Sequence, residues 1–439
     1  MSHTNHVWQR RNFLLGAAAF PLAGACRTPA RAAQAQANGA GAGDERARLD
    51  ELLRGLSDQS DSLSPIAEAE RAKRRARLGA ALADAGFQAM ICEGGATMEW
   101  LSGVEWGHSE RVFALVVFAD GSHAWICPAF EADKARLRIA GPGQPGGTIA
   151  TWEEHEYAFA PLAALLRQQR VERVALDAQL RYFVADRLGD EFGRERLHSA
   201  ALLMADLRMV KEPHELALLR KANELTKQAI CAAAEHVHAG QSSSEIAALV
   251  TRAKERLGLG STWNLTLIGA AAAYPHGDTA HEKLGVGDLL LVDTGGALHG
   301  YQSDITRTWA AAGAPREREL RAWNSVRSAQ RKAFDAIRPG AQCRSIDAVA
   351  RESIAADGFG AGYKALTHRL GHGIGLEGHE DPYFDGHSVV TLRTGMTLSN
   401  EPGIYVLGEF GVRIEDIVAV TDNGAEVFGP WQESALSPA

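Results

Sequence analysis

Short apolar runs and amphipathic stretches alternate along most of this chain, and the alternation predicts its elements. A charged helix is predicted from Ile66 to about Ala85, where Gly86 stops it. Strand-like runs follow at 87–92, 112–118 and 123–127, then helices near 129–139 and 158–169, and a further strand candidate at 171–176. Such alternation predicts an α/β domain ending near Met204. From Lys211 to His236 a long helix carries a stripe of Leu218, Ala222, Leu225, Ala229 and Ala232, at intervals of four and three. After Gly240 the next helix is expected at 244–257. The remainder alternates again: strands at 265–268, 288–293 and 304–310, helices at 316–337 and 345–356, then Gly-rich strands to Phe428. The overall class is α/β (α+β), with no convincing internal repeat.

The first residues do not fit this pattern. Arg10-Arg11-Asn12-Phe13-Leu14-Leu15 precedes a small, weakly apolar run from Gly16 to Gly24, too short to span a bilayer as a helix. Ala30-Arg31-Ala32 offers small residues for cleavage after Ala32. The order of charge, apolar run and cleavage site resembles a bacterial twin-arginine export signal, so a periplasmic or secreted location is expected. The alternatives are a disordered basic tail that happens to carry two arginines, and lipidation at Cys26, where the preceding Ala23-Gly24-Ala25 lacks the usual Leu. Residues 33–44 are low-complexity and read as a linker. The parse is a signal at 1–32, linker and short helix at 33–65, an α/β domain at 66–205 and a second domain at 210–435.

Composition narrows the function. With 46% hydrophobic and 23% charged residues over 439 positions, the chain is neither disordered nor a disulfide scaffold. Its net charge of −8 argues against a nucleic-acid surface, and signal removal makes it four charges more acidic. No stable membrane span is expected after that removal. The five cysteines are scattered with no CxxC pair, which argues against a thiolate metal site.

The chemistry concentrates in five segments of the second half. In Leu289-Leu290-Leu291-Val292-Asp293-Thr294-Gly295-Gly296 an apolar strand is read as ending on a carboxylate, with glycines turning the backbone past it. Ser303-Asp304-Ile305-Thr306-Arg307-Thr308 starts a second β-like run on an acid. Gly371-His372-Gly373-Ile374-Gly375 and His379 place imidazoles among glycines, and Glu401-Pro402-Gly403 puts an acid before a turn. Val412-Arg413-Ile414-Glu415-Asp416 reads as a strand with Arg413 and Glu415 on one face and Asp416 on the other. Singly, each acid has an ordinary explanation: a strand-end turn for Asp293, an exposed turn for Glu401, an ion pair with Arg413 for Glu415. Converging in a core, four acids would repel unless a cation joined them. Four carboxylates and one imidazole suit a pair of divalent ions such as Mn²⁺, Co²⁺ or Zn²⁺. Spacing alone does not bring the segments together.

Those five motifs, in that order, resemble the signature of the methionine aminopeptidase/prolidase/creatinase superfamily. Tyr274-Pro275-His276-Gly277 and the helix opening Met209-Val210-Lys211-Glu212-Pro213 fit it as well. Within the superfamily the chain is most similar to Xaa-Pro peptidases (aminopeptidase P/prolidase, metallopeptidase family M24). The resemblance implies a creatinase/prolidase-like N-terminal domain followed by a pita-bread catalytic domain. It further implies two divalent metals, Mn(II) first among them. Asp293 and Asp304 would bind one, with Asp304 bridging to the second. His372 and Glu401 would complete the second, and Glu415 would bridge both. A metal-bridging hydroxide would attack the bond preceding proline, with Glu401 handling the water's proton. His276 and His379 would position the peptide and stabilise the oxyanion. Arg413 would orient Glu415 or contact the substrate. A proline-containing peptide is the expected partner, and a homodimer the expected assembly.

One departure bears on substrate length. Dipeptide-cleaving relatives carry an Arg in a stretch that aligns here with Pro382-Tyr383-Phe384-Asp385-Gly386-His387. Asp385 would repel a dipeptide carboxylate, which favours longer peptides; Arg393 would substitute only if its loop folded back. Three other readings compete with the peptidase. They are a metal-independent creatinase-like hydrolase, another metal-dependent hydrolase or lyase of a small non-peptide substrate, and a non-catalytic binding module. The intact ligand set speaks against the first and last.

Overall fold

The computed structural model describes residues 43–278 and 282–439; the expected export signal and the start of the expected linker lie outside the described residues. Residues 43–52 are helical. From Leu52 to Ala439 the described residues form one compact unit. None of its helices is long and apolar enough to cross a membrane.

The first half builds a six-stranded sheet from β1 (Ala89–Glu93), β2 (Ala114–Phe118), β3 (His123–Pro128), β4 (Thr148–Trp152), β5 (Val174–Leu176) and β6 (Leu197–Ser199), in the order β4-β3-β2-β1-β5-β6. The β1–β2 and β2–β3 pairs are antiparallel; the β3–β4, β1–β5 and β5–β6 pairs are parallel. Val116, Val117, Ile91 and Ile126 are fully buried because helices cover both faces. Each such side chain contributes about 1.5–3 kcal/mol by leaving water. The charged helix is Glu68–Asp84. Sequence patterning missed β4 and the helices Ala96–Ser102 and Tyr182–Phe192, which are short or weakly periodic.

The long helix is Pro213–Ala234, with Pro213 in its first turn and the Glu215 carboxylate accepting from the Glu212 amide at 2.8 Å. Its stripe is buried at Leu218, Ala222, Leu225 and Ala229, but the last core position is Ala233 rather than Ala232. The helix Ser243–Arg256 follows, started by Ser242 and Glu245. Then come β7 (Gly260–Ile268), β8 (Leu289–Leu298), β9 (Tyr301–Gln302) and β10 (Ile305–Ala310). They pair antiparallel in the order β10-β8-β7, with β9 on β8. The strand β8 does not end on Asp293. It runs on through Gly295, where a Cβ would meet the Ser303 carbonyl oxygen at 1.9 Å, so glycine here admits a neighbouring backbone and does not turn the chain.

Past the helices Glu317–Ala336 and Cys343–Ala356 lie β11 (Gly371–Gly373), β12 (Glu380–Phe384), β13 (Thr397–Asn400), β14 (Gly403–Val406), β15 (Phe410–Arg413), β16 (Asp416–Thr421) and β17 (Gly424–Val427). The order β12-β11-β13-β16-β17 makes a second sheet, and β14–β15 a separate hairpin. The strand read through Arg413 and Glu415 is therefore broken, with Ile414 and Glu415 at the step between β15 and β16. This is the pita-bread arrangement after a creatinase/prolidase-type domain. Ion pairs of the buried Arg74 join the halves: it lies 3.0 Å from the half-buried Glu212 and 3.3 Å from the buried Glu215.

Candidate metal centre

Strands of both catalytic sheets and the steps beside them deliver the acids to one place. Asp293 sits within β8 opposite Thr306 of β10, and Asp304 immediately precedes β10. His372 is central in β11, Glu401 follows β13, and Glu415 occupies the β15–β16 step. Ligand atoms of Asp293, Asp304 and Glu415 all lie within 4.8 Å of one another, and so do those of His372, Glu401 and Glu415. Glu415 is common to both trios. His372 Nε2 is 3.6 Å from Asp304 and 3.3 Å from Glu401.

The surrounding hydrogen bonds leave free the atoms that a cation would need. Asp293 Oδ2 accepts from Arg413 Nη2 at 2.6 Å, while buried Oδ1 has no partner. Glu415 Oε2 accepts from the Thr306 hydroxyl at 2.7 Å, while buried Oε1 has none. The His372 Nδ1–H donates to the Gly373 carbonyl at 3.1 Å, which turns Nε2 toward the acids. Ser399 Oγ donates to Glu401 at 3.0 Å and accepts from the His372 amide at 2.9 Å. Two orphaned carboxylate oxygens and an imidazole Nε2 turned to the acids are a donor set that fits divalent cations.

Electrostatics agree. Burial, and then the neighbouring acids, push the Asp304 and Glu415 carboxyls well above the usual range. Burial opposes ionisation of Glu401 too, but the His372 hydrogen bond and charge, with His368 and Arg413, hold it below the ordinary value. His372 is raised, because Glu401 and Asp304 outweigh its burial. His379 is lowered by burial and by His372, whose ring centroid lies 4.0 Å away. Four acids in this space cannot all ionise without added positive charge.

All eight residues singled out from the sequence line one cavity of about 830 Å³: Asp293, Asp304, His372, Glu401, Glu415, His276, His379 and Arg413. Two details differ from the sequence reading. Arg413 pairs with Asp293 and not with Glu415, although its Nε reaches the Thr306 hydroxyl that binds Glu415. Asp385 does not line the cavity. Its carboxylate accepts from the amides of His387 and Ser388 at 3.0 and 2.8 Å, closing a turn. Repulsion of a substrate carboxylate by Asp385, and the preference for longer peptides argued from it, therefore lose their basis. Arg393 is held by Asp206 at 2.6 Å.

Sequence reasoning gave no role to several neighbours. His368 Nδ1–H donates to the Arg369 carbonyl, so Nε2 accepts from the Tyr405 hydroxyl at 2.7 Å. That hydroxyl accepts from Arg413 Nη1 at 2.9 Å, giving a continuous chain from His368 to Asp293. The spacing His368-x-x-x-His372 and the Tyr within Glu401-Pro-Gly-Ile-Tyr405 were signals available for both. Lys254 had none, since it sits in a charged helical stretch. It is fully buried, donates to the Gly295 carbonyl at 2.8 Å and to the Thr294 hydroxyl, and burial pushes it down to about 7.

Fold and cluster together define a metal-dependent hydrolase of the pita-bread class. The model of metallopeptidase family M24 matches residues 217–422, and that of the creatinase/prolidase N-terminal domain residues 74–210. A probable dipeptidase PepE of Mycobacterium tuberculosis is 34% identical over 357 residues, covering 81% of this chain and 93% of that one. An Xaa-Pro dipeptidase of Pyrococcus furiosus is 34% identical over 260 residues, 59% of this chain and 74% of its own. The crystal structure of dipeptidase PepE from Mycobacterium ulcerans aligns with a TM-score of 0.78 at 30% identity, covering 85% of this chain and 100% of that one. The chain belongs to metallopeptidase family M24 and is a metal-dependent peptidase, as its ordered motifs implied.

Proposed function

We propose that the chain is a dinuclear metalloexopeptidase that hydrolyses the bond between an N-terminal residue and proline. The carrying observation is the pair of ligand trios sharing Glu415, each with atoms within 4.8 Å. Asp293, Asp304 and Glu415 would hold one ion; His372, Glu401 and Glu415, with Asp304 beside them, would hold the other. When bound, a pair of divalent ions, Mn(II) in first place and Co(II) or Zn(II) as alternatives, lowers the pKa of water and so supplies a nucleophile at neutral pH.

The chain's own residues do the rest. The Glu401 carboxylate takes the proton of the attacking water and returns it to the proline nitrogen as the C–N bond breaks. The neutral His379 imidazole donates to the developing oxyanion, and His276 positions the peptide. Arg413 fixes the rotamer of Asp293, leaving Oδ1 for the cation. The names of the relatives, dipeptidase and Xaa-Pro dipeptidase, support a substrate of two residues, with a longer Xaa-Pro peptide as the other arm of the test.

The test is hydrolysis of Ala-Pro and Ala-Pro-Ala by chain starting at Ala33, reconstituted with Mn²⁺, Co²⁺ or Zn²⁺, with a chelator control. Release of alanine that the chelator abolishes is expected. No release with any metal would transfer the proposal to a small non-peptide substrate. Periplasmic delivery by the Arg10-Arg11 segment and a homodimeric state belong to the same proposal. Cell fractionation with an Arg10→Lys, Arg11→Lys variant checks the first, and sedimentation the second.

A further inference from the structure

Most charges around the catalytic cavity are already committed. Arg413 spends its guanidinium on Asp293, the Tyr405 hydroxyl and the Pro275 carbonyl. Glu377, an acid in the same wall, is bound by Arg208 at 2.7 Å and by Gln179. Arg208 in turn reaches Glu380 at 2.6 Å. Asp385 and Arg393, the groups the sequence offered for substrate length, are engaged elsewhere.

Arg369 is different. It follows His368, is exposed, and lines the cavity in company with His379. Its guanidinium carbon lies 4.4 Å from the centroid of the Tyr383 ring. Among the described residues no carboxylate pairs with it, although four carboxylates of the metal cluster line the same cavity. The guanidinium also hydrogen-bonds the Tyr383 side chain; a guanidinium has five N–H donors, and a pair of them matches a carboxylate. The cavity is therefore electrically polar: acids within, and on its wall a cation that Tyr383 holds and no carboxylate of the described residues neutralises.

We propose that Arg369 binds the C-terminal carboxylate of a dipeptide substrate and thereby sets the length of peptide the enzyme accepts. This deepens the peptidase reading above and rests on it. Tyr383 acts as a positioning residue, holding the guanidinium on its ring.

The experiment uses the Mn²⁺-reconstituted enzyme, wild type and Arg369→Gln, with Ala-Pro, Ala-Pro-amide and Ala-Pro-Ala. The amide removes only the charge that Arg369 would bind. Wild type should prefer Ala-Pro to the other two. Arg369→Gln should raise KM for Ala-Pro roughly 10- to 100-fold with kcat little changed, leave Ala-Pro-amide unchanged, and so flatten the preference. Arg369→Lys should recover part of the loss, as a point charge without the fork. Equal loss on Ala-Pro and Ala-Pro-amide would mean that Arg369 only supports the loop, and the assignment would fall while the peptidase reading stood. No effect on either substrate would remove it as well. If wild type cleaves none of the three, the peptidase reading falls and takes this assignment with it.

Discussion

Glu415 and Asp416 are neighbours in the chain, both buried, and they sit in opposite electrostatic worlds. On the cavity side Glu415 faces Asp304, Glu401 and Asp293, and one of its oxygens has no partner. On the other side Asp416 accepts from Lys227 at 2.6 Å, Arg307 at 2.7 Å and Gln330 at 3.0 Å. Burial works against both carboxylates. The two cations overcome it for Asp416, which is held below its usual range, whereas the acids add to it for Glu415, which is pushed well above. One side of this step in the chain is neutralised by the protein itself; the other is left incomplete for a cation. The two faces are also linked, because Arg307 Nη1 donates to the Glu415 carbonyl at 2.7 Å. The neutral face thus anchors the backbone that presents the charged one.

The sharpest way to separate the faces is to remove each charge in turn. Glu415→Gln should lower kcat/KM by about 10³-fold or more, since a metal ligand supporting several kcal/mol of transition-state stabilisation is lost. Its metal-free stability should nevertheless hold or rise, because a repelling acid is gone. Asp416→Asn should do the reverse to stability and lose about 3 kcal/mol or more in urea unfolding, having stranded two buried cations. If chelator-treated Glu415→Gln is destabilised as much as Asp416→Asn, the contrast is wrong.

Metal addition probes the incomplete face without mutation. At about 100 times its Kd, Mn²⁺ should stabilise the wild-type protein by about 2.7 kcal/mol. Glu415→Gln should show most of that gain missing, while Asp416→Asn should keep it. A thermal-shift titration of the three proteins reads this directly. An equal shift in all three would move the binding site elsewhere.

The smallest effect concerns an acid away from the centre. Glu99, pressed against the turn at Gly300, is pushed up to about 7 by burial first and then by Glu105. A raised carboxyl contributes stability below its unfolded value of 4.5, and that contribution is lost as pH rises through about 7. Glu99→Gln should therefore gain on wild type between about pH 5 and about pH 8 in urea unfolding. A difference that stays constant across that interval would show that Glu99 does not titrate there.

Much of this was legible in the chain. The helix opening at Pro213 follows from local rules, since Glu212 and Glu215 cap it within four residues. The acids and His372 stood out because each lies in a short motif of strand, glycine and turn residues. What misled was also local. Gly295-Gly296 reads as a turn, yet Gly295 admits the Ser303 carbonyl against an uninterrupted strand. Arg413 and Glu415 read as a pair on one face, yet the strand breaks between them and Arg413 turns to Asp293, 120 residues earlier. Lys254 reads as a surface lysine, and only the packing of its helix on β7 and β8 makes it a buried donor.

The sequence by itself determined the inventory: which side chains the centre would use, in what order, and on which kind of element. Alternation along a strand and periodicity along a helix are properties of neighbouring residues, so they can be read without the fold. The tertiary structure decided the pairings. Which oxygen of Asp293 is left free, which of Glu415 and Asp416 is neutralised, and which arginine faces the cavity without a carboxylate depend on sheet register between segments about a hundred residues apart. That register is set by the packed core as a whole, and no short motif encodes it.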